Sequence, residues 1–285
     1  MNKLVLLAVV VVAACQADNR NIDRKLEEMS KDLKDIKQQI ARGGAGAQAP
    51  RPARVEPDLA KTYAVQIAGD PADGPADAKV TIVKAFDYAC PFCERVRGTM
   101  DDLRKKYGND LRFVFKQMVV HPQLATVSAF TSCAAYKQGK FLQMDQLLWE
   151  KGFKVRQFDK DPTGEGGGQA QHCWETPAGC SIALGFAQEL GLNIDKFKAD
   201  MKGECQAMVQ KDQREMQSFG VNGTPAFFIN GRFLSGAQPI DKFITLIDEE
   251  LKKANERIQA GTPAASYYQQ YVLDKGLKQL ERPAQ

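Results

Sequence analysis

Apolar residues fall along this chain in distinct patterns, and each predicts a different kind of element. Leu4–Val12 is an unbroken apolar run behind a short basic start, Met1–Lys3. It is well short of the ~20 residues that cross a bilayer, so it predicts a cleaved export signal and not a span. From Ile22 the pattern becomes periodic. Ile22, Leu26, Met29, Leu33, Ile36 and Ile40 recur at spacings of four and three, a heptad stripe with Leu26, Leu33 and Ile40 at a and Ile22, Met29 and Ile36 at d. Gly43–Pro57 has no periodicity and is rich in Gly, Ala and Pro, which predicts a flexible linker.

From Asp58 short apolar runs alternate with helical patterns. Tyr63–Ile67 is expected to be a first strand, followed by strands at Lys79–Phe86 and Leu111–Val119, with an amphipathic helical pattern at Glu94–Tyr107 between the last two. Strand, helix, strand with a short return is a βαβ unit, hence parallel pairing in an α/β sheet. Gln123–Tyr136, Phe141–Trp149, Ser181–Leu190 and Asp195–Phe219 read as helices. Phe153–Cys180, with Gly164, Gly166, Gly167 and Gly168, reads as a surface insertion among them. Ala226–Ile229 and Arg232–Leu234 are strands joined by Asn230-Gly231, a strong hairpin signal, and Pro239 opens a further helix. Beyond it Tyr267, Tyr268, Tyr271 and Val272 predict a helix packed back on the body.

The two N-terminal patterns bear on location and assembly. Val12-Ala13-Ala14-Cys15 resembles the lipobox of bacterial lipoproteins, which implies that Cys15 becomes a lipid-carrying N-terminus and that residues 1–14 are removed. Gln16 after it leans, by the same resemblance, towards an outer membrane on its periplasmic side. An ordinary signal cut a few residues later is the alternative. Leu at a with Ile at d favours trimers or tetramers, so residues 22–40 are expected to make the chain a homo-oligomer; a solvated spacer helix, or one packed on its own domain, is the other reading.

Composition narrows the class. The 285 residues carry a net charge of +4 with both signs mixed, which gives no nucleic-acid footprint. Seven cysteines beside two histidines point to an oxidising compartment. Setting Cys15 aside leaves an even number, suited to disulfides.

Cys90-Pro91-Phe92-Cys93 stands between the Lys79–Phe86 strand and the helical pattern after it. Proline at a first helical position loses nothing, since its missing N–H would be unpaired there. The sulfurs three residues apart share one face, and Cys90 sits where free N–H groups and the positive end of the helix dipole favour a thiolate. Cys90 is therefore the expected nucleophile, being the more exposed, and Cys93 the resolving thiol. Alone, the spacing fits a redox pair, half a metal site or a structural disulfide equally. Its place between strand and helix raises the first. Gly223-Thr224-Pro225 immediately before the downstream hairpin then tips the balance.

In that order, with His121-Pro122, Gln138-Gly139-Lys140-Phe141 and Ser235-Gly236-Ala237-Gln238-Pro239, the chain over roughly residues 64–254 resembles the DsbA family of thioredoxin-fold thiol–disulfide oxidoreductases. The resemblance implies an α/β thioredoxin fold with a helical insertion. It implies a cis Pro225 beside Cys90, and a Thr224 backbone that pairs with an extended substrate. Two departures concern redox tuning. Lys84 stands where the family often carries a buried acid; a charged Lys cannot accept the Cys93 proton, a desolvated neutral one can, and a Lys that snorkels to the surface would do neither. Phe92, beside Pro91, adds no positive charge near Cys90, so the thiolate is expected to be less stabilised and the disulfide less oxidising than in DsbA itself.

Of the remaining cysteines, Cys173 and Cys180 bracket a short loop and are the candidates for a local disulfide; Cys133 and Cys205 are left to pair by elimination, with three connectivities open. His172 beside Cys173 raises a metal site, which two histidines in the whole chain disfavour; neither metal nor cofactor is expected. His172 is otherwise expected to be an exposed loop residue and His121 a turn residue near the active face. The organisation expected is a signal over 1–14, a stalk over 15–42, a linker over 43–57, a thioredoxin-like domain over 58–258 with its helical insertion at about 123–218, and a C-terminal helical extension over 259–285. The expected activity is disulfide exchange in exported proteins, leaning to isomerase or reductase, with a membrane redox partner. A DsbA-like oxidase and a redox-inert peptide-binding or chaperone module are the alternatives.

Overall fold

The structure, a computed structural model, describes residues 23–35, 37–38, 56–157 and 172–281. The chain divides into two units, Met1–Arg54 and Val55–Gln285. In the first, helix α1 covers residues 23–35, and its side chains, including Leu26, Met29 and Leu33, are exposed. The expected signal, Cys15, heptad positions Ile22, Ile36 and Ile40, most of the linker and the glycine-rich part of the insertion lie outside the described residues. No helix among the described residues is long and apolar enough to cross a membrane.

The second unit is built on one sheet. Its strands are β1 (Ala72–Asp73), β2 (Val80–Phe86), β3 (Leu111–Gln117), β4 (Ala226–Ile229) and β5 (Arg232–Ser235), in spatial order β1-β3-β2-β4-β5. Strands β2 and β3 run parallel, in register from Val80 opposite Leu111 to Phe86 opposite Gln117. This is the pairing that a right-handed βαβ crossover demands. Strand β2 is buried on both faces: Val80, Ile82 and Phe86 pack into one apolar cluster, Val83 and Ala85 into the other. That explains its near-continuous apolar composition.

Strands β2 and β4 run antiparallel, with Ala85 opposite Ala226. The end of β2, which leads to Cys90, and the start of β4, which follows Pro225, therefore share one rim of the sheet. Sequence separation does not oppose this meeting; the register imposes it. At the opposite end, Asn230 and Gly231 turn the hairpin with φ of +44° and +82°. A Cβ on Gly231 would lie 2.6 Å from the Tyr63 carbonyl oxygen, so glycine is required there for space as well as for φ. The buried Asn230 side chain accepts from the Thr81 N–H (2.8 Å) and donates to the Lys79 carbonyl (3.0 Å), fastening the turn to β2.

The helices are α2 (Pro91–Arg95), α3 (Arg97–Tyr107), α4 (Pro122–Tyr136), α5 (Phe141–Leu147, continued by a π-helical stretch to Phe153), α6 (Ser181–Glu189), α7 (Ile194–Lys202), α8 (Glu204–Ser218), α9 (Ile240–Gln259) and α10 (Ala264–Tyr267, continued to Leu273). Helix α4 is buried nearly all round, as an evenly apolar helix must be. Cys133 on α4 is bonded to Cys205 on α8, and Cys173 to Cys180, so one of the three connectivities is taken.

Two expectations are corrected and one alternative is decided. Tyr63–Ile67 is not a strand. Only Thr62 and Tyr63 make isolated bridges, to Arg232 and Leu277, and the short β1 holds the sheet edge instead, antiparallel to β3. The helix expected over Asp195–Phe219 is two helices, parted at Gly203, whose backbone (φ −117°, ψ −99°) leaves the helical region. Lys84 does not snorkel: it is 4% exposed. Side chains two apart on a strand share a face, so Lys84 follows Ile82 and Phe86 into the core.

A second buried lysine joins α8 to the sheet. Lys116 on β3 lies 2.6 Å from Asp70, 3.2 Å from Asp212 and 2.9 Å from Glu215. Burial alone would lower its pKa, but three carboxylates outweigh that and hold it charged. The C-terminal residues pack back on the body: Tyr268 Oη donates to the Val65 carbonyl (2.9 Å), and Lys61 pairs with Glu281.

Candidate active site

Cys90 is the N-cap of α2 and Pro91 its first residue. An extended Cys90 (φ −83°, ψ 117°) turns the chain into the helix, and its carbonyl accepts the N–H groups of Cys93 (3.1 Å) and Glu94 (3.2 Å). Both thiols are free. Exposure hardly separates them, contrary to expectation: Cys90 is 3% exposed and Cys93 0%. Hydrogen bonding separates them instead.

Cys90 Sγ lies 3.2 Å from the Thr224 carbonyl oxygen, and the Thr224–Pro225 peptide bond is cis. The Cys90 thiol is brought down to about 5, chiefly by the hydrogen bond it receives from the Cys93 side chain. Burial works against this, while the Thr224 side chain and the N–H groups of Cys93 and Phe92 add to it. The Thr224 hydroxyl is buried without a partner in this dithiol form, and a thiolate on Cys90 would give it one. Cys93 is pushed well up, first by burial and then by its hydrogen bond to Cys90. One sulfur is thus ionised at neutral pH and the other holds its proton, the division of labour that thiol exchange needs.

Phe92 faces outward at 49% exposure, and the Arg95 guanidinium lies over its ring at 5.0 Å. The apolar ring, which adds no charge, was expected to leave the thiolate less stabilised than in DsbA itself. The lowering of the Cys90 thiol comes from hydrogen bonds to its sulfur.

Beneath the pair lies a group that sequence reasoning missed. Lys84 shares the core with a half-buried carboxylate, Asp145 on α5, which accepts from Tyr88 Oη (2.8 Å) and Trp149 Nε1 (3.1 Å). The Lys84 ammonium also stands 5.0 Å from the Phe86 ring and 5.9 Å from the Trp149 ring. Burial lowers the pKa of Lys84, and Asp145 and Cys93 pull it back up; burial raises Asp145, and Lys84 opposes it. The carboxylate that acts on Lys84 thus comes from the helical insertion. A cavity of about 180 Å³, lined among others by Lys84, Asp145, Arg97 and Asp101, opens beside them. The signal was weak, since an Asp inside an amphipathic helix reads as a solvated face.

The structure brings together Cys90, Cys93, Pro91, Thr224 and Pro225, with Lys84 below. It does not bring the disulfide cysteines to this turn; those pairs brace the helical insertion. His172 is half-buried, not exposed, and stacks on Trp174 with ring centroids 4.4 Å apart. His121 caps α4, with its ring 3.3 Å from Asp87. No group of three or more metal-ligating side chains occurs among the described residues.

The family pattern described as thioredoxin matches residues 67–249. Among curated proteins, a Na(+)/H(+) antiporter NhaA of Herminiimonas arsenicoxydans is 31% identical over 167 residues, 58% of this chain and 23% of that protein. NhaA 1 of Salinispora arenicola is 30% identical over 174 residues, 59% of this chain and 22% of that one. The match spans about a quarter of the length of these relatives. Among solved structures, oxidised BdbD from Bacillus subtilis superposes with a TM-score of 0.52 at 23% identity, covering 70% of this chain and all of that one (100%). A variant of alpha-DsbA1 from Wolbachia pipientis gives a TM-score of 0.52 at 16% identity, covering 68% and 96%. At these identities the likeness is one of fold.

Proposed function

The chain belongs to the thioredoxin family, and on that premise we propose that it is a thiol:disulfide oxidoreductase acting on exported proteins, with Cys90 as nucleophile and Cys93 as resolving thiol. The observation that carries this reading is the Cys90 sulfur, at a helix N-cap and 3.2 Å from the Thr224 carbonyl, with its thiol lowered to about 5. In the dithiol form the Cys90 thiolate attacks one sulfur of a client disulfide. The client S–S bond breaks, its second sulfur leaves as a thiolate, and a mixed disulfide joins Cys90 to the client. Cys93 then loses its proton and attacks Cys90. The client leaves with both sulfurs reduced, and two electrons have passed from the Cys90–Cys93 pair. Run backwards, the same steps oxidise a client dithiol.

Isomerisation or reduction is the direction this reading favours. A thiolate already formed at neutral pH starts the attack on a wrongly paired disulfide. The exposed stripe of Leu26, Met29 and Leu33 on α1 suits self-association through residues 22–40, which would present several thiol sites to one client. The lipobox-like Cys15 would anchor that assembly at the periplasmic face of a membrane. A second reading is favoured by the thiol value itself: a stabilised thiolate makes the dithiol the comfortable state, so the disulfide form is a willing oxidant.

Refolding of scrambled ribonuclease by the reduced protein, with and without residues 19–42, tests the choice. Recovery of activity by the full-length form, lost on deleting the stalk, is expected. No recovery, with rapid oxidation of dithiol peptides by the disulfide form, selects the oxidase.

A further inference from the structure

Asp87 stands three residues before Cys90 and is fully buried (0% exposed). A carboxylate so far from water is tolerated only if its lone pairs are filled. Here the donors come from two separate stretches of chain. Oδ1 accepts the Ala89 N–H at 2.6 Å; Oδ2 accepts the N–H groups of Val120 at 2.6 Å and His121 at 2.8 Å. The His121 ring nitrogen Nδ1 lies 3.3 Å from Oδ2 and is the one ionisable partner within 4 Å of this carboxylate among the described residues. The Asp87 backbone carbonyl also accepts the Cys90 N–H at 3.1 Å.

Ala89 belongs to the turn that presents the nucleophile, whereas Val120 and His121 form the loop that leads into α4 and the helical insertion. Neither stretch belongs to a helix or strand, so neither is held by a ladder of its own. One acceptor fixes both. The Cys90 sulfur depends on hydrogen bonds that weaken steeply with distance and angle, so a small shift of this turn is felt at the sulfur.

We propose that Asp87 is a positioning residue of the thiol site, its buried carboxylate joining the turn that presents Cys90 to the loop entering the helical insertion. This rests on the oxidoreductase reading above and explains what His121-Pro122 does beside the active face. It also makes a prediction with an informative sign. A negative charge near a sulfur disfavours the thiolate, so removing that charge alone would make Cys90 easier to ionise. Losing the position would make it harder.

The test is titration of the Cys90 thiolate, by its ultraviolet absorbance, in reduced full-length protein and in Asp87→Asn and Asp87→Ala, with melting temperatures recorded alongside. The midpoint is expected to rise by about one pH unit or more in both variants, as hydrogen bonds to the charged form are lost. A midpoint that falls, or stays while only the melting temperature drops, overturns the proposal. Should neither variant fold, amide hydrogen exchange on the unmodified dithiol protein decides. Slow, matched exchange at Ala89, Val120 and His121 supports the proposal, and exchange at the rate of free loop amides overturns it. A wild-type midpoint in the ordinary thiol range overturns the oxidoreductase reading and this proposal with it. A wild-type midpoint near about 5 with unmoved variants overturns this proposal alone.

Discussion

The Cys90 sulfur lies 3.2 Å from the carbonyl oxygen of Thr224, across a sequence gap of 134 residues. As a thiol, Cys90 donates to that oxygen. As a thiolate it has no proton to give, and the carbonyl is left facing a negative sulfur with its lone pairs open. A client backbone N–H would fill them. On the function proposed above, where an extended client would pair with Thr224, ionisation of Cys90 and docking would favour one another.

The Thr224 hydroxyl makes the first prediction. Buried without a partner in the dithiol form, it destabilises that form until Cys90 ionises. Thr224→Val is expected to stabilise the dithiol protein at pH 4 by about 1 kcal/mol, while slowing its reaction with a client disulfide at pH 7. Denaturant titration and a stopped-flow exchange assay read the two effects. A variant that loses stability and exchanges at the normal rate would contradict the role given to Thr224.

The thiol values predict a specific pH dependence of stability. The folded Cys90 ionises near about 5 against an ordinary 9.0, so its thiolate contributes stability that is fully present above the ordinary value and lost as pH falls through about 5. The disulfide form has no such group. The difference in melting temperature, dithiol minus disulfide, should therefore rise steadily between pH 5 and 9. A difference independent of pH over that window would mean that the thiol is not held low.

Lys84 and Asp145 are expected to behave as one unit. Lys84→Met leaves the half-buried Asp145 carboxylate without the cation that opposes its burial and should destabilise by about 1–2 kcal/mol at pH 7, less at acid pH where Asp145 takes a proton. Asp145→Asn alone should also destabilise. The double variant should recover most of the loss, giving a coupling free energy of about 1–3 kcal/mol. Additive losses would show that the two charges do not sense each other.

Much of this was legible in the sequence, for reasons that can be named. Cys90-Pro91-Phe92-Cys93 announced a helix start because proline tolerates that place and little else in a helix. Asn230-Gly231 announced the hairpin because both residues adopt positive φ readily. Lys84 could be read either as buried or as snorkelling, because its place on the strand favours the core and its charge favours water; what decides between them, packing against α5, is tertiary. Asp145, Tyr88 and Trp149 were missed for the same reason. Strand β1 is too short to carry a period, and Gly203 sits in a run whose helical pattern continues on both sides.

The two structural disulfides should differ in worth. Cys133–Cys205 closes a sequence separation of 72 and Cys173–Cys180 one of 7. On loop entropy the first contributes about 4 kcal/mol and the second about 2.5 kcal/mol. Paired Cys→Ala variants, with Cys90 and Cys93 intact, check this by denaturation. Equal losses would point to strain or to unfolded-state structure in place of loop length.

The central claim, that Cys90 alone is a thiolate at neutral pH, is tested most directly by its alkylation. Reduced full-length protein treated with iodoacetamide across the pH range, with the modified cysteine identified by mass spectrometry, should show a single fast site at Cys90. Its rate should rise tenfold per pH unit below about 5 and level off above it, with Cys93 unreactive throughout. A rate still climbing at pH 8, or equal labelling of Cys90 and Cys93, would contradict the account.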